Sequence, residues 1–210
     1  MKLILSLGIL AFALSFCNMS ERLKQMSGGT TSNSNSSKPA NSSDSGGDVE
    51  SAKLTPAQQA ILDSGKDLTW DDQGISWKLP ESWKKLEMRK ESLNYGSPDN
   101  AFLIGTISIM SDDFPSDISL KATYESSMQQ LKNGKYESAR YLEIDGIKGV
   151  EFLEAVPEDK DGIRRYQWLA YRKYQGQNQL LNIMLSTTQT KWDKHKDEFP
   201  AIMYSMKISQ

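Results

Sequence analysis

Residues 141–153 read YLEIDGIKGVEFL. Two alternating apolar runs, Tyr141 to Ile144 and Ile147 to Leu153, flank Asp145-Gly146, and Asp-Gly between such runs is the strongest short-range signal of a two-residue β-hairpin, because its turn needs a positive φ at both central positions. The same period continues downstream. Residues 163–174 put Tyr166, Trp168, Ala170 and Tyr174 on one face, and Leu180 to Leu185 is nearly continuous apolar, with the Gln175-Gly176-Gln177-Asn178 stretch predicted as the turn between them. Upstream, Ile75, Trp77 and Leu79 alternate with Ser76 and Lys78 until Pro80 ends the strand. Residues 101–110 are apolar on both parities except at Gly105, Thr106 and Ser108, which predicts a central strand covered on both faces.

Helical spacing interrupts the strands at two places. Leu120, Tyr124, Met128 and Leu131 form a stripe after a predicted cap at Asp117, closed by Asn133-Gly134. Trp192, His195, Phe199, Ile202 and Met206 form a second stripe, with Thr190 and Asp193 at capping-box spacing and Pro200 expected to bend or restart the helix. Ahead of all this, Thr55-Pro56 opens a short helical patch that stops near Gly65. Strands, a helix, a four-strand meander and a closing helix predict an α+β fold, an antiparallel sheet flanked by helices.

The N-terminal third has another character. Lys2 precedes the apolar run Leu3 to Phe16, and as a helix those 14 residues span about 21 Å, short of the roughly 30 Å hydrocarbon core. Residues 1–16 therefore read as an export signal rather than a permanent span. The run ends in Leu14-Ser15-Phe16-Cys17, which resembles the lipobox of bacterial lipoproteins. Leu14 fits that pattern, whereas Phe16 stands where Gly, Ala or Ser is usual. On this reading Cys17 carries the lipid, and several acyl chains at one site anchor durably where a single chain is marginal. An ordinary signal peptide cut after Ala13-Leu14-Ser15 stays open as the competing reading, and would leave Cys17 a free thiol. Residues 17–48 then form the lipidation site and a tether. From Ser27 onward this stretch is dominated by Ser, Gly, Asn and Thr, a composition unable to bury enough apolar surface to order itself. Residues 49–69 read as a short helical lead-in, and 70–210 as the folded domain.

Within that domain, residues 74–207 carry a resemblance. The run Ile75-Ser76-Trp77-Lys78-Leu79-Pro80-Glu81-Ser82-Trp83, the helix after Ser119, the hairpin around Asp145-Gly146 and the closing Tyr204-Ser205-Met206-Lys207-Ile208 resemble the PsbP-like and DcrB-like superfamily. The chain departs from it at Glu81-Ser82, where relatives commonly carry Gly before the Trp. The resemblance implies an α/β/α sandwich on an antiparallel sheet, and it implies an accessory or assembly role rather than a chemistry.

The residues themselves point the same way. With 25 basic and 27 acidic side chains, charge selects neither a nucleic acid nor an acidic substrate. The single Cys excludes a disulfide framework and a multi-thiolate metal site. His195 is the one imidazole, lies on a helical stripe between Trp192 and Phe199, and has no Gly-x-Ser-x-Gly elbow for company, so a structural role is expected. Acidic residues cluster at Asp71-Asp72, Asp112-Asp113 and Glu158-Asp159-Lys160-Asp161-Gly162. The last lacks the spaced ligands of a calcium loop and reads as a turn between strands. Of five Trp residues, Trp77, Trp168 and Trp192 fall on core faces, while Trp70 and Trp83 are less constrained and are candidates for exposure. No cofactor is expected. The function expected is that of a non-enzymatic lipoprotein of the bacterial envelope, facing the periplasm or the cell exterior, with a protein or envelope partner and no nucleic acid. The alternative is a hydrolase or small-ligand binder using a cleft beside the sheet.

Overall fold

The computed structural model describes residues 48–209, so the expected export signal, Cys17 and most of the expected tether lie outside the described residues. The hairpin that decides the fold forms as expected: β7 (Tyr136–Ile144) and β8 (Ile147–Glu154) pair antiparallel, and Asp145 and Gly146 both take positive φ, 49° and 83°. To this are added β9 (Ile163–Tyr174), β10 (Gln177–Thr188), β6 (Phe102–Met110), β5 (Ser92–Gly96) and the edge strand β4 (Lys84–Met88), each antiparallel to the last. The opposite edge carries β1 (Glu50–Ser51), and this pair is parallel to β7, so the eight-stranded sheet is mixed at one margin. The β9–β10 connection is tighter than expected. Gln175 and Gly176 alone make the turn, at φ 48° and 78°, and Gln177 and Asn178 already belong to β10.

A smaller sheet lies against the large one, built from β2 (Lys66–Trp70), β3 (Ile75–Leu79) and β11 (Lys207–Ile208) in the order β11-β3-β2. Together with α1 (Pro56–Asp63), α3 (Gln189–His195) and α4 (Glu198–Tyr204) it covers one face of the eight strands, and α2 (Ser116–Lys132) lies on the other. The result is an α+β fold with flanking layers on both faces, one of which is itself part sheet.

Local chemistry explains most of the element ends. Thr55 accepts the Gln58 amide while its own N–H reaches the Gln58 side chain, a complete capping box ahead of Pro56 at the first helical position. Helix α2 starts one residue before the predicted cap. Pro115 occupies the cap position without a side-chain bond, and Asp117 sits in the first turn, where its charge favours the helix dipole. The final stripe breaks into α3 and α4 at residues 196–197, with the boundary residue Thr188 ahead of the predicted Thr190, and Pro200 falls in the first turn of α4, where its missing N–H costs nothing. Residues 49–69 hold the expected helix, yet they also supply β1 and most of β2, and Leu62 and Leu68 are buried in the common core. The described fold thus begins at Glu50 rather than at Trp70, because the small sheet needs β2 as a partner for β3.

The larger core lies between the two sheets and contains all five Trp residues. Trp70 and Trp83, candidates for exposure in the sequence, are buried at 1% and 0%, and each indole N–H finds an acceptor: Arg89 O at 2.8 Å and Glu198 Oε1 at 3.1 Å. Trp168 lies flat across β8 at Gly149, where a Cβ would stand 2.4 Å from its Nε1, and it donates to Leu142 O at 3.1 Å. The smaller core sits under α2 and joins Leu120 to Tyr141, Val150 and Phe152.

Candidate functional site

Two clusters of ionisable groups lie inside the large core. In the first, Glu151 of β8 is 3% exposed and faces the core beside the tyrosines. Its carboxylate accepts Arg140 Nε at 2.6 Å, Tyr204 O–H at 2.8 Å and the Tyr166 O–H. Arg140 also donates to Tyr204 Oη at 2.8 Å and to Glu50 of β1. Burial, and then the neighbouring Glu151 charge, pushes the Tyr204 phenol up to about 12 and drives Tyr166 well above its ordinary range. Burial alone would lower the Arg140 guanidinium, but its bond to Glu151 and that carboxylate's charge raise it. The cluster is a strut that joins β1, β7, β8, β9 and α4.

His195 forms the second cluster. It is 2% exposed and stacks on Phe199, with ring centroids 5.4 Å apart. Its Nδ1 lies 2.9 Å from Glu198 Oε1, and Nε2 stands 3.3 Å from Asp99 Oδ1, near enough for an ion pair but off line for a hydrogen bond. Burial would raise the Asp99 carboxyl, but hydrogen bonds from Lys194 and Ser97 and the charges of His195 and Lys194 hold it well below the usual carboxylate range. The Ser97 hydroxyl donates to Asp99 at 2.6 Å and accepts from the Ala101 amide, so it is turned away from the ring. The structure therefore does bring two carboxylates together around the lone imidazole, and uses them to pin the β5–β6 loop to α3 and α4. His195, expected to be half-buried on its helical stripe, is buried in full.

The remaining candidates fall in separate loops. Asp71 and Asp72 form a 3₁₀ turn before β3, Asp112 and Asp113 precede α2, and 158–162 makes the expected strand-connecting turn, closed by Asp159 Oδ1 accepting the Asp161 amide at 3.0 Å. Among the described residues no group of three or more His, Cys, Asp or Glu is placed to hold a metal. Reasoning from sequence missed Arg140, Glu151 and the buried pair Arg164 and Arg172. Both arginines carry the same parity in β9 as Tyr166 and Trp168, which was the available signal. Arg172 is 6% exposed and donates to the carbonyl oxygens of Gln73 and Ser209 and to the Gln179 side chain. With these neutral partners, burial brings its guanidinium down to about 10.

What the domain presents outward is of two kinds. A cleft of about 520 Å³ opens between α1 and the outer face of the small sheet, with Leu54, Leu62 and Trp77 in its apolar part and Asp67, Lys78 and Lys207 among its polar walls. The second is the α2 face of the large sheet. Helix α2 packs mainly over β7, with β8 and β9 beside it. On β10 and β6 the same face carries Leu180, Met184, Phe102 and Ile104, all half-buried and belonging to neither core. The register sets Met184 opposite Ile104 and diagonal to Phe102, so these three side chains are neighbours, while Leu180 lies opposite Ser108 beyond Asn182 and Thr106. Strand β6, expected to be covered on both faces, is sealed on one: Leu103, Gly105 and Ile107 point into the core, and the other parity stays open.

No family model and no curated protein matches the chain. Solved structures similar to it are those of a Bacteroides thetaiotaomicron VPI-5482 protein (14% identity, 70% of this chain and 49% of that one, TM-score 0.44), cyanobacterial PsbP from Synechocystis sp. PCC 6803 (16%, 69% and 92%, 0.44) and LpqN, involved in cell envelope biogenesis of Mycobacterium tuberculosis (15%, 70% and 87%, 0.49). The chain spans about half the length of the Bacteroides protein. PsbP, whose name the resemblance drawn from the sequence carries, is among them.

Proposed function

We propose that the protein is a lipid-anchored, non-catalytic binding module of the bacterial envelope, held by acyl chains on Cys17 and engaging a protein partner through the half-covered face of its large sheet. The observation that carries the binding half is the set Phe102, Ile104 and Met184, with Leu180 further along the same face, which stands outside both cores beyond the strands that α2 mainly contacts. Apolar patches rimmed by polar residues mark interaction sites. The non-catalytic half is supported by the use made of the ionisable groups: Glu151, Arg140, His195 and Asp99 are tied to one another across different elements. The anchor rests on the leader and the lone Cys17 of the sequence.

Two measurements test this. Intact mass of the native protein should show a diacylated or triacylated N-terminal cysteine, with Cys17→Ser moving the protein out of the membrane fraction. An unmodified Cys17, or a retained leader, defeats the anchor. For the binding half, photo-cross-linking residues placed over the whole domain surface in cells should give discrete adducts with an envelope component, and none at any position defeats it.

A further inference from the structure

We infer that the cleft between α1 and the outer face of the small sheet is a binding site for a small organic anion, a carboxylate or phosphate head on a compact apolar body. It is a different surface from the large-sheet face proposed for the protein partner. Its volume of about 520 Å³ lies within the roughly 300–1,000 Å³ of pockets that take small molecules.

The register of the small sheet builds the polar floor. In β3, the central strand, Ile75, Trp77 and Leu79 turn into the core, so Ser76 and Lys78 lie on the outer face. Ser76 stands between Lys207 of β11 and Thr69 of β2, and Lys78 stands opposite Asp67. Two ammonium groups diagonal to one another and two facing hydroxyls thus share one small field. Strand β11 pairs with Ile75 and Ser76 only, and Ser205 takes its place beside Lys78, accepting the Lys78 amide at 3.0 Å. The apolar wall is Leu54 and Tyr204, both half-buried and packed on the large core.

What these walls leave without an answer is a positive charge. Lys207 has Asp145, 3.1 Å from its Nζ. Lys78 is half-buried, and among the described residues its ammonium makes no ion pair and no hydrogen bond. Asp67 faces it across the strands beyond ion-pair range and is exposed, so water already answers that carboxylate. A half-buried ammonium has lost part of its hydration and gains from a counter-ion, which the exposed carboxylate does not need. The Thr69 and Ser76 hydroxyls likewise make no hydrogen bond among the described residues, and both can donate to the same oxyanion. The floor therefore selects an anionic head. The wall of Leu54 and Tyr204 selects the apolar body beside it.

The test titrates the purified full chain with 4-phenylbutyrate and with its uncharged isostere, 4-phenylbutyramide, read by ligand-observed NMR in one detergent throughout. The acid should bind about tenfold or more tightly than the amide, because only the acid makes charge-assisted contacts. Lys78→Met keeps the stem of the side chain and should leave the melting curve unaltered. It should weaken the acid about tenfold or more and leave the amide where it was, while Lys78→Arg should retain most of the affinity. Asp67→Asn removes the carboxylate facing Lys78 and should tighten the acid about two- to threefold. Lys132→Met, on α2 and the other side of the large sheet, should change nothing. Equal affinities for acid and amide, an acid affinity indifferent to Lys78→Met, weakening by Asp67→Asn, or no binding of the acid at about 10 mM each overturn the inference. The comparison of acid with amide needs no variant, so it decides even where a substitution costs the fold.

Discussion

The two faces of the eight-stranded sheet are built from the same strands in opposite ways. One parity of β9 and β10 carries Tyr166, Trp168, Ala170, Leu181, Ile183 and Leu185, closed over by a second sheet and three helices until nothing polar is left unspoken for except a few atoms such as Trp77 Nε1. The other parity carries Leu180 and Met184 beside Asn182 and Gln167, with one helix over half of it. Alternation in sequence announces both parities alike. What separates them is whether the chain supplies a covering element, and that is decided by the short connections that carry α3 and α4 to one side only.

The sharpest way to break the comparison is to cut equally into both faces. Trp168→Ala should cost about 3–5 kcal/mol of stability, since it empties a fully packed site, whereas Met184→Ala should cost less than about 1 kcal/mol. Urea unfolding with unchanged slope would measure both. Equal losses would mean that the open face is covered in solution.

Next in size, Glu151→Gln should cost about 2–3 kcal/mol. That is below the 3–5 typical of a broken buried pair, because the Arg140 side chain is 37% exposed and water takes part of its charge. Arg140→Met in the same background should recover part of the loss, and additive losses would show that the strut carries no coupling.

A pH effect follows on the closed side. Asp145 holds the Ile208 amide at 2.7 Å and Lys207 at 3.1 Å. Burial would raise its carboxyl, but these bonds lower it below its ordinary value. Asp99 is lowered as well. Groups depressed in the fold contribute their stability above the unfolded carboxyl pKa of about 3.9 and lose it as pH falls through the folded values. Stability should therefore be flat in this respect from pH 7 to about 5 and decline below about 4, less steeply in Asp145→Asn, as read from melting temperatures across that range.

The smallest effect tests a turn. Gln175 takes φ 48° beside Gly176 on the β9–β10 hairpin, a strained choice for a residue other than Gly, Asn or Asp. Gln175→Asn should raise stability by about 0.5 kcal/mol, visible as a shift of a degree or two in melting temperature.

Period-2 alternation and Asp145-Gly146 made the meander legible, and the Thr55 box and Asn133-Gly134 marked helix ends, because those signals act between residues a few positions apart. The edges of legibility are equally physical. Trp70 and Trp83 lie next to turns, and the folding back of the β4–β5 turn and of α4 onto them decides their burial. The strut gathers residues 50, 140, 151, 166 and 204 from five elements, so no spacing in the chain could disclose it. On β6, apolar residues on both parities predict a strand buried on both faces. The second parity instead marks the open face, and the pattern that misled about cover was the sign of the candidate site.

The small sheet has a temporal consequence. Its last strand, β11, pairs Lys207 and Ile208 with Ser76 and Ile75, and Phe199, Ile202, Met203 and Met206 complete the same core. Strand β3, already paired with β2, must therefore wait through some 130 residues of synthesis before its second partner exists. During that interval the tryptophans around Trp77 have no lid, so a growing chain stays unlocked and pliable until its final turns emerge.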